Sequence, residues 1–572
     1  MARLARCGAL LRSLGSGRGT NDSRRNILPR SRTCTFTGML PARYVTDIAI
    51  AGAGIAGIAT AIEALGRGRR VLLLDRDLGE NFGGLARESF GGLWFAGTPL
   101  QRRYRIRDSV DLGLQDWLVY GELGPEHPWP RAWAAAYVER CVPDIYRWLI
   151  GLGVEFMPMP MWVERGLYQP GNSVPRFHIV WGTGHALAMT LIGRLLNHPR
   201  RDLLELQFGH WVDALVTTGG RLHGVRGVIE PDGLPFEVAA ESVVLAGGGI
   251  NGDLERVRRN WHADWGRPPP VILNGSHRFA DGTLHDAAVA AGARVTHLDW
   301  QWNYAAGIRH WRPRKPGHGL SLVPPKSALW LNSGGARIGP MPLVSGYDTH
   351  ELVAQVCRQP GGYGWQLLNR RIALKELAVS GAEFNPAIRD RRRLAVARNI
   401  LFGNRWLYEE LCRNSEDVVL ADTLPGLVER MNAANGDDVV DLATVEDAVA
   451  RYDAAIARGP RFHSDEQLRR IAWARRWPGD RLRTCAFQKI LDPAARPLMA
   501  IREFIISRKS MGGIQTDLDC RVLDRAGQPI AALYAAGEAA GFGGGGMHGK
   551  RSLEGTFLGG CLLSGRIAGQ VA

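Results

Sequence analysis

No two of the eight cysteines in this 572-residue chain stand in a C-x-x-C spacing. Cys7, Cys34, Cys141, Cys357, Cys412, Cys485, Cys520 and Cys561 lie far apart. That pattern excludes a cysteine-built zinc site, iron–sulfur cluster or redox dithiol, and no metal is expected. Scattered thiols suit a reducing, cytoplasmic setting. Long apolar runs are also missing. The longest, residues 48–62, is interrupted by glycines and stops at Glu63, short of the roughly 20 residues that span a bilayer. There is no internal repeat of solenoid or propeller length, and no basic stripe interleaved with aromatics. The net charge of +15 therefore does not point to nucleic acid. Residues 1–46 hold nine arginines against one acid, Asp22, and account for about +8 of that charge.

This tail is rich in Arg and Ser, as organelle transit peptides are. It equally fits a start placed too early, with Met39 as the true first residue. Under either reading residues 1–46 are set apart from the fold. What the chain has in excess is glycine, 71 residues gathered in short clusters after apolar runs. Only glycine lets main chain come very close to a large ligand, so these clusters suggest one. The length implies two or three domains.

The first cluster follows Asp47–Ala51, a short apolar segment that reads as a buried parallel strand. Gly52-Ala53-Gly54-Ile55-Ala56-Gly57 forms the turn, residues 58–65 a helix, and residues 70–74 a second buried strand ending on Asp75. Gly52 permits the tight turn, Gly54 lets a pyrophosphate approach the backbone, and Gly57 lets the helix pack on the strand. Asp75 stands where an acid binds a ribose hydroxyl. A second literal match, Gly247-x-Gly249-x-x-Gly252, is not followed by a strand ending in an acid. It therefore reads as a strand end rather than a separate nicotinamide site. Further strands are expected over 203–227 and 241–246, and helices over 131–152 and 445–457. From residue 261 to about 485 Trp, Pro and Arg become frequent, and past Met511 the glycine-rich style returns. The expected organisation is α/β. A Rossmann-like dinucleotide-binding domain in two parts, 47–260 and 486–572, surrounds an inserted α+β substrate or capping domain, 261–485.

Several motifs together carry a resemblance. They are GAGIAG at 52–57, LLLD at 72–75, GG at 83–84, SFGG at 89–92, VVLAGGGIN at 243–251 and ADGTLHDAAVAAGA at 280–293. MGGIQTD at 511–517 and YAAGEAAGFGGGGMHGKRSLEGTFLGG at 534–560 complete the set. In this order the chain resembles the flavoprotein subunits of fumarate reductase and succinate dehydrogenase, and more closely the 3-ketosteroid dehydrogenase-like FAD-binding dehydrogenases. The resemblance implies FAD, with Asp75 at the adenosine ribose, Gly83, Gly84 and Ser89 at the pyrophosphate and flavin, and Glu538 at a sugar hydroxyl. It adds Arg76, Gly91, Gly92, Ala246, Gly247, Gly248, Asn251, Asp281, Gly537 and Leu553 to the cofactor set. A helix beginning at Gly555 and Thr556 would aim its N-terminus at the flavin. Residues 85–92 contain no histidine, so the covalent flavin link of the respiratory relatives is not expected and FAD should be held non-covalently.

The specialised active sites of the relatives are incomplete. Where fumarate reducers carry histidines before the MGG turn, this chain reads Arg508-Lys509-Ser510. Where ketosteroid dehydrogenases carry a tyrosine in P-x-Y-A, it reads Pro497-Leu498-Met499-Ala500, and Met499 cannot donate a proton. The remaining catalytic candidates are Arg551 as a clamp or polarising cation, Lys509 and Ser510 beside the flavin, and Tyr304 as a proton donor. Trp300 and Trp302 fit core packing better than a substrate slot, and His185 and His548 are secondary candidates. The reaction expected is hydride transfer between flavin and a carbon–carbon bond next to a carbonyl. The substrate would be an apolar enone or steroid-like molecule, or a carboxylate, and the electron acceptor is unassigned. An oxygen-using flavin oxidase or hydroxylase and a non-catalytic FAD-binding subunit are the alternatives.

Overall fold

The computed structural model describes residues 41–572 except positions 220 and 340. Most of the arginine-rich tail, with its two readings, lies outside the described residues. Its last residues do not. The first strand runs over Ala42–Ala51, so residues 42–46, set apart on sequence grounds, pair with the Leu234–Leu245 strand.

Strand Ala42–Ala51 is flanked in parallel by Val71–Asp75 and by Leu234–Leu245. Leu204–Phe208 and Pro529–Ala535 extend this sheet on its two sides, also in parallel. Strand side chains alternate between faces, and here both faces are covered. Ile48, Ile50, Val71 and Leu73 pack on one side with helix Ile55–Gly66, while Ala49, Ala51, Leu72 and Leu74 pack on the other. Burial of each large aliphatic contributes about 1.5–3 kcal/mol, which explains a strand apolar throughout and not alternating with polar residues. Hairpin strands His210–Thr218 and Arg221–Ile229 hang from the Leu234–Leu245 strand.

Helix Ile55–Gly66 begins three residues earlier than the sequence suggested. The reason is Gly57, where an added Cβ would lie 1.9 Å from the Gly52 carbonyl oxygen. The helix therefore folds back onto the turn at once. The C-terminal helix Thr556–Val571 packs against it, and Thr60 Oγ1 donates to the Gly565 carbonyl at 3.0 Å. The end of the chain thus rejoins its beginning.

A second sheet is built around Leu498–Ser510, thirteen residues long. Tyr363–Asn369 and Gln301–Arg309 flank it in antiparallel fashion, and Leu329–Asn332, Gly319–Val323 and Ala378–Val379 lie further out. The sequence reading assigned residues 486–510 to the nucleotide part. The observed pairing puts the whole Leu498–Ser510 strand in the second sheet, and the return to the first sheet starts after Ser510. Apolar strands of both sheets read alike in one dimension, so only pairing separates them. Among the described residues, no helix is long and apolar enough to cross a membrane.

Candidate functional site

The strands Ala42–Ala51, Val71–Asp75 and Leu234–Leu245 end together, and a cavity of about 410 Å³ opens over their carboxyl ends. Parallel sheets place ligands there, because the loops at strand ends diverge and leave a crevice. The cavity continues along the second sheet to a chamber lined by Lys326, Glu376, Asp480 and Arg483.

At the sheet end Gly52 adopts φ +115°, and a Cβ on it would strike the Ala246 carbonyl oxygen at 2.4 Å. Gly54 differs. A Cβ there meets nothing within 4 Å and points into open space beside the N-terminus of helix Ile55–Gly66. Two glycines thus serve packing and one leaves room for a ligand. The helix has no side-chain cap and no acid in its first turn, leaving its N–H groups free for phosphate. Asp75 accepts from the backbone N–H of Ala53 at 2.6 Å and of Asp77 at 2.7 Å. Burial pushes its carboxyl above the usual range. Each carboxylate oxygen keeps a lone pair for a sugar hydroxyl. Arg76 pairs with Glu230 and Asp281, each at 3.0 Å, with its guanidinium 4.1 Å from the Trp211 ring and 4.4 Å from that of Phe279. It is a wall, already charge-compensated, and not a free cation. Gly83, Gly84, Ser89, Gly91, Gly92, Ala246, Gly247 and Gly248 also line this part.

Further along, Glu538 accepts from the Ser510 N–H at 2.9 Å, and burial pushes its carboxyl up to about 7. Next comes a cluster from three distant segments. Tyr304 Oη donates to Glu554 Oε2 at 2.7 Å, and Trp302 Nε1 donates to the same oxygen at 3.0 Å. Lys509 Nζ stands 4.0 Å from the Phe557 ring centroid and 5.8 Å from that of Tyr304. Burial and the Glu554 carboxylate push the Tyr304 phenol well above its ordinary range, so it stays protonated. Burial pulls the Lys509 ammonium down to about 8. Tyr304, Lys509 and Glu554 all line the cavity.

Other expected residues lie elsewhere. Arg551 does not line the cavity. It is buried against Glu122, and its Nε lies 3.4 Å from Asp348. The neighbouring Lys550 bridges Glu122 at 2.8 Å and Asp264 at 2.9 Å. Both cations tie the C-terminal loop to the rest of the chain, an outcome invisible until Glu122 and Asp348 are brought near. His262, Asp264 and His350 have metal-ligand spacing, and Lys550 already supplies the cation there. Ser510 Oγ donates to the Gly512 carbonyl, Asn251 Nδ2 to Ser507 Oγ, and Thr556 Oγ1 to the Leu553 carbonyl. Ser510, Asn251, Leu553 and Thr556, with Ala53, Gly57 and Gly537, shape the site from behind its surface. Trp300 stacks on His297, His548 is buried on Trp117, and His185 is also off the wall. Met499 is fully buried between strands Tyr363–Asn369 and Val418–Ala421. The P-x-Y-A position of the relatives is thus core here.

The sequence reading missed Glu554, although it stands inside the quoted stretch SLEGTF as a lone acid before the helix. It also missed Lys326, Glu376, Asp480 and Arg483, which line the chamber.

A family model described as an FAD binding domain matches residues 47–558. The chain is 42% identical over 545 residues to a KsdD-like steroid dehydrogenase of Mycobacterium tuberculosis, covering 92% of this chain and 95% of that protein. It is 43% identical over 532 residues to a KsdD-like steroid dehydrogenase of Mycolicibacterium smegmatis, covering 90% and 96%. Among solved structures, an open conformation of a flavocytochrome c3 fumarate reductase matches with TM-score 0.65 and 21% identity, over 93% of this chain and 78% of that one. A 3-ketosteroid-delta4-(5alpha)-dehydrogenase from Rhodococcus jostii RHA1, in complex with 4-androstene-3,17-dione, matches with TM-score 0.60 and 22% identity, over 95% and 99%. These structural likenesses establish a shared fold.

Proposed function

The chain belongs to the FAD-binding domain family and is an FAD-dependent oxidoreductase, and on that premise we propose that it oxidises or reduces a carbon–carbon bond beside the carbonyl of an apolar, steroid-like substrate. The observation that carries this reading is the placement of Tyr304, Lys509 and Glu554 on one cavity wall, between the nucleotide-type turn and the chamber.

The residues at the sheet end suit FAD. Gly54 offers space and free helix N–H groups to a pyrophosphate, Asp75 an acceptor to a ribose hydroxyl, and Glu538 an acceptor to a further sugar hydroxyl. With no histidine in residues 85–92, attachment is non-covalent. Sheet membership supports a discontinuous nucleotide domain, residues 42–260 with 511–572, covered by an inserted substrate domain that includes the Leu498–Ser510 strand.

When bound, FAD supplies the hydride acceptor or donor. The remaining work falls to the protein. Lys509, poised near pH 8, polarises the substrate carbonyl by charge and hydrogen bonding. Tyr304 holds a proton at Oη, and its bond to Glu554 fixes that proton's direction and offers a route for its replacement. Aromatic and aliphatic walls from Trp162, Leu322, Trp330 and Val379 exclude water.

The test is anaerobic mixing of the FAD-loaded protein with 3-keto steroids, simple enones and dicarboxylates. Bleaching of the visible flavin band by a 3-keto steroid is expected. Failure of all three classes to change that band, with the photoreduced form also left unoxidised by their unsaturated members, overturns the proposal.

A further inference from the structure

The charged groups at the chamber end of the cavity are not evenly partnered. Asp480 is held by two cations, Arg165 and Lys326, the second at 3.3 Å. Glu376 is satisfied by neutral donors: Ser327 Oγ at 2.6 Å, Ser327 N at 3.1 Å and Cys485 N at 2.7 Å. Glu164, on the same wall, accepts from Tyr120 Oη, Thr349 N and Thr349 Oγ1, and burial pushes its carboxyl up to about 7. Arg483 lines the chamber, yet among the described residues no carboxylate oxygen comes within 4.0 Å of it. Asp480 and Glu376 are thus each satisfied by other donors, and they act on Arg483 only from beyond 4.0 Å.

An arginine cannot shed its charge at physiological pH, and an enclosed, unpaired guanidinium is costly unless a ligand supplies the counter-charge. Its fork of N–H donors matches a carboxylate bidentately. From this unpartnered guanidinium on the cavity wall we infer that the substrate carries a carboxylate on an otherwise apolar skeleton, and that Arg483 receives it. The inference rests on the dehydrogenase reading of the cavity and specifies its substrate class.

Geometry sets the length of the skeleton. Lys509 lies opposite Trp302, Gly307 of the same strand lies opposite Ser321, and Leu322 lies opposite Val379. From the Leu498–Ser510 strand to Ala378–Val379 is thus three strand steps, about 14 Å at about 4.8 Å each, and the five residues from Trp302 to Gly307 offset the two ends by roughly 16 Å along the strands. Lys326 and Glu376 lie just past the paired ends Val323 and Ala378. Between the two polar ends the walls are apolar: Trp162, Ile179, Leu322, Trp330, Leu352 and Val379. A long, rigid hydrocarbon with a carbonyl at one end and a carboxylate at the other fills this outline. A small dicarboxylate does not, because it cannot reach both ends.

The experiment compares a 3-keto steroid acid with its methyl ester on the FAD-loaded protein, by equilibrium dialysis and by perturbation of the flavin band. Neither readout requires turnover, so a failure of the redox reading leaves it intact. The expected result is binding of the acid roughly tenfold or more tighter than the ester, the scale of one charged hydrogen-bond pair. Arg483→Leu brings the acid-to-ester ratio close to one, and Arg483→Lys restores part of it, which separates loss of charge from loss of fold. Equal binding of acid and ester by the unaltered protein, binding of neither, or a preference that survives Arg483→Leu overturns the inference.

Discussion

Tyr304 and Glu554, 250 residues apart, share a 2.7 Å hydrogen bond at the boundary between the two sheets' territories. The phenol must donate, because burial keeps it protonated. Tyr304→Phe removes the proton and leaves the ring. If Tyr304 moves the substrate proton, flavin reduction by substrate slows by about 10²–10⁴-fold, while FAD content stays unchanged. Stopped-flow absorbance under anaerobic conditions measures this, and a rate within a few-fold of the unaltered protein reduces Tyr304 to a wall residue.

Lys509 gives the site a pH dependence. Burial lowers its folded-state pKa to about 8, below the ordinary lysine value in the unfolded chain. If the charged form polarises the substrate, kcat/KM falls as pH rises through about 8, and Lys509→Met loses that limb along with most of the rate. Stability moves the other way. Between about 8 and the ordinary lysine range the unfolded chain binds more protons, so this group's contribution to stability rises with pH over that window. Urea melts at paired pH values, with and without Lys509→Met, isolate it.

The opening turn separates fold from cofactor. Gly54→Ala adds a Cβ where nothing lies within 4 Å, whereas Gly57→Ala drives one onto the Gly52 carbonyl at 1.9 Å. Gly54→Ala is expected to leave the melting temperature of the FAD-free protein almost unchanged and to weaken FAD retention, read as the ratio of flavin to protein absorbance after gel filtration. Gly57→Ala lowers both. Equal FAD retention by Gly54→Ala and the unaltered protein removes the pyrophosphate role.

The turn, Asp75 and Glu538 were legible as cavity residues because their signals are local: short-range spacing and a glycine-rich setting mark a place of close approach. The Tyr304–Glu554 pair, the unpartnered Arg483 and the sheet of the Leu498–Ser510 strand were not. Each depends on which distant segments meet, and a carboxylate or an apolar strand looks the same in sequence whichever partner it finds. Arg551 is a further case. Its motif position suggested a ligand clamp, and only the fold reveals Glu122 and Asp348 beside it.

Arg551 therefore yields the prediction on which sequence and structure differ most. As a ligand clamp, Arg551→Met abolishes turnover with little change in stability. As the ion-pair partner seen here, the same change strands Asp348, which is buried, while Glu122, partly exposed, keeps Lys550 at 2.8 Å. Breaking a buried pair costs about 3–5 kcal/mol, and the exposure of Glu122 brings the expected loss toward about 2–3 kcal/mol. Denaturant unfolding of Arg551→Met, Glu122→Gln and the double variant should show that the two changes are not additive, with the double variant less damaged than the sum. Flavin reduction by substrate should remain within about tenfold in whatever fraction stays folded. A large kinetic loss with an unaltered unfolding midpoint would return Arg551 to the substrate.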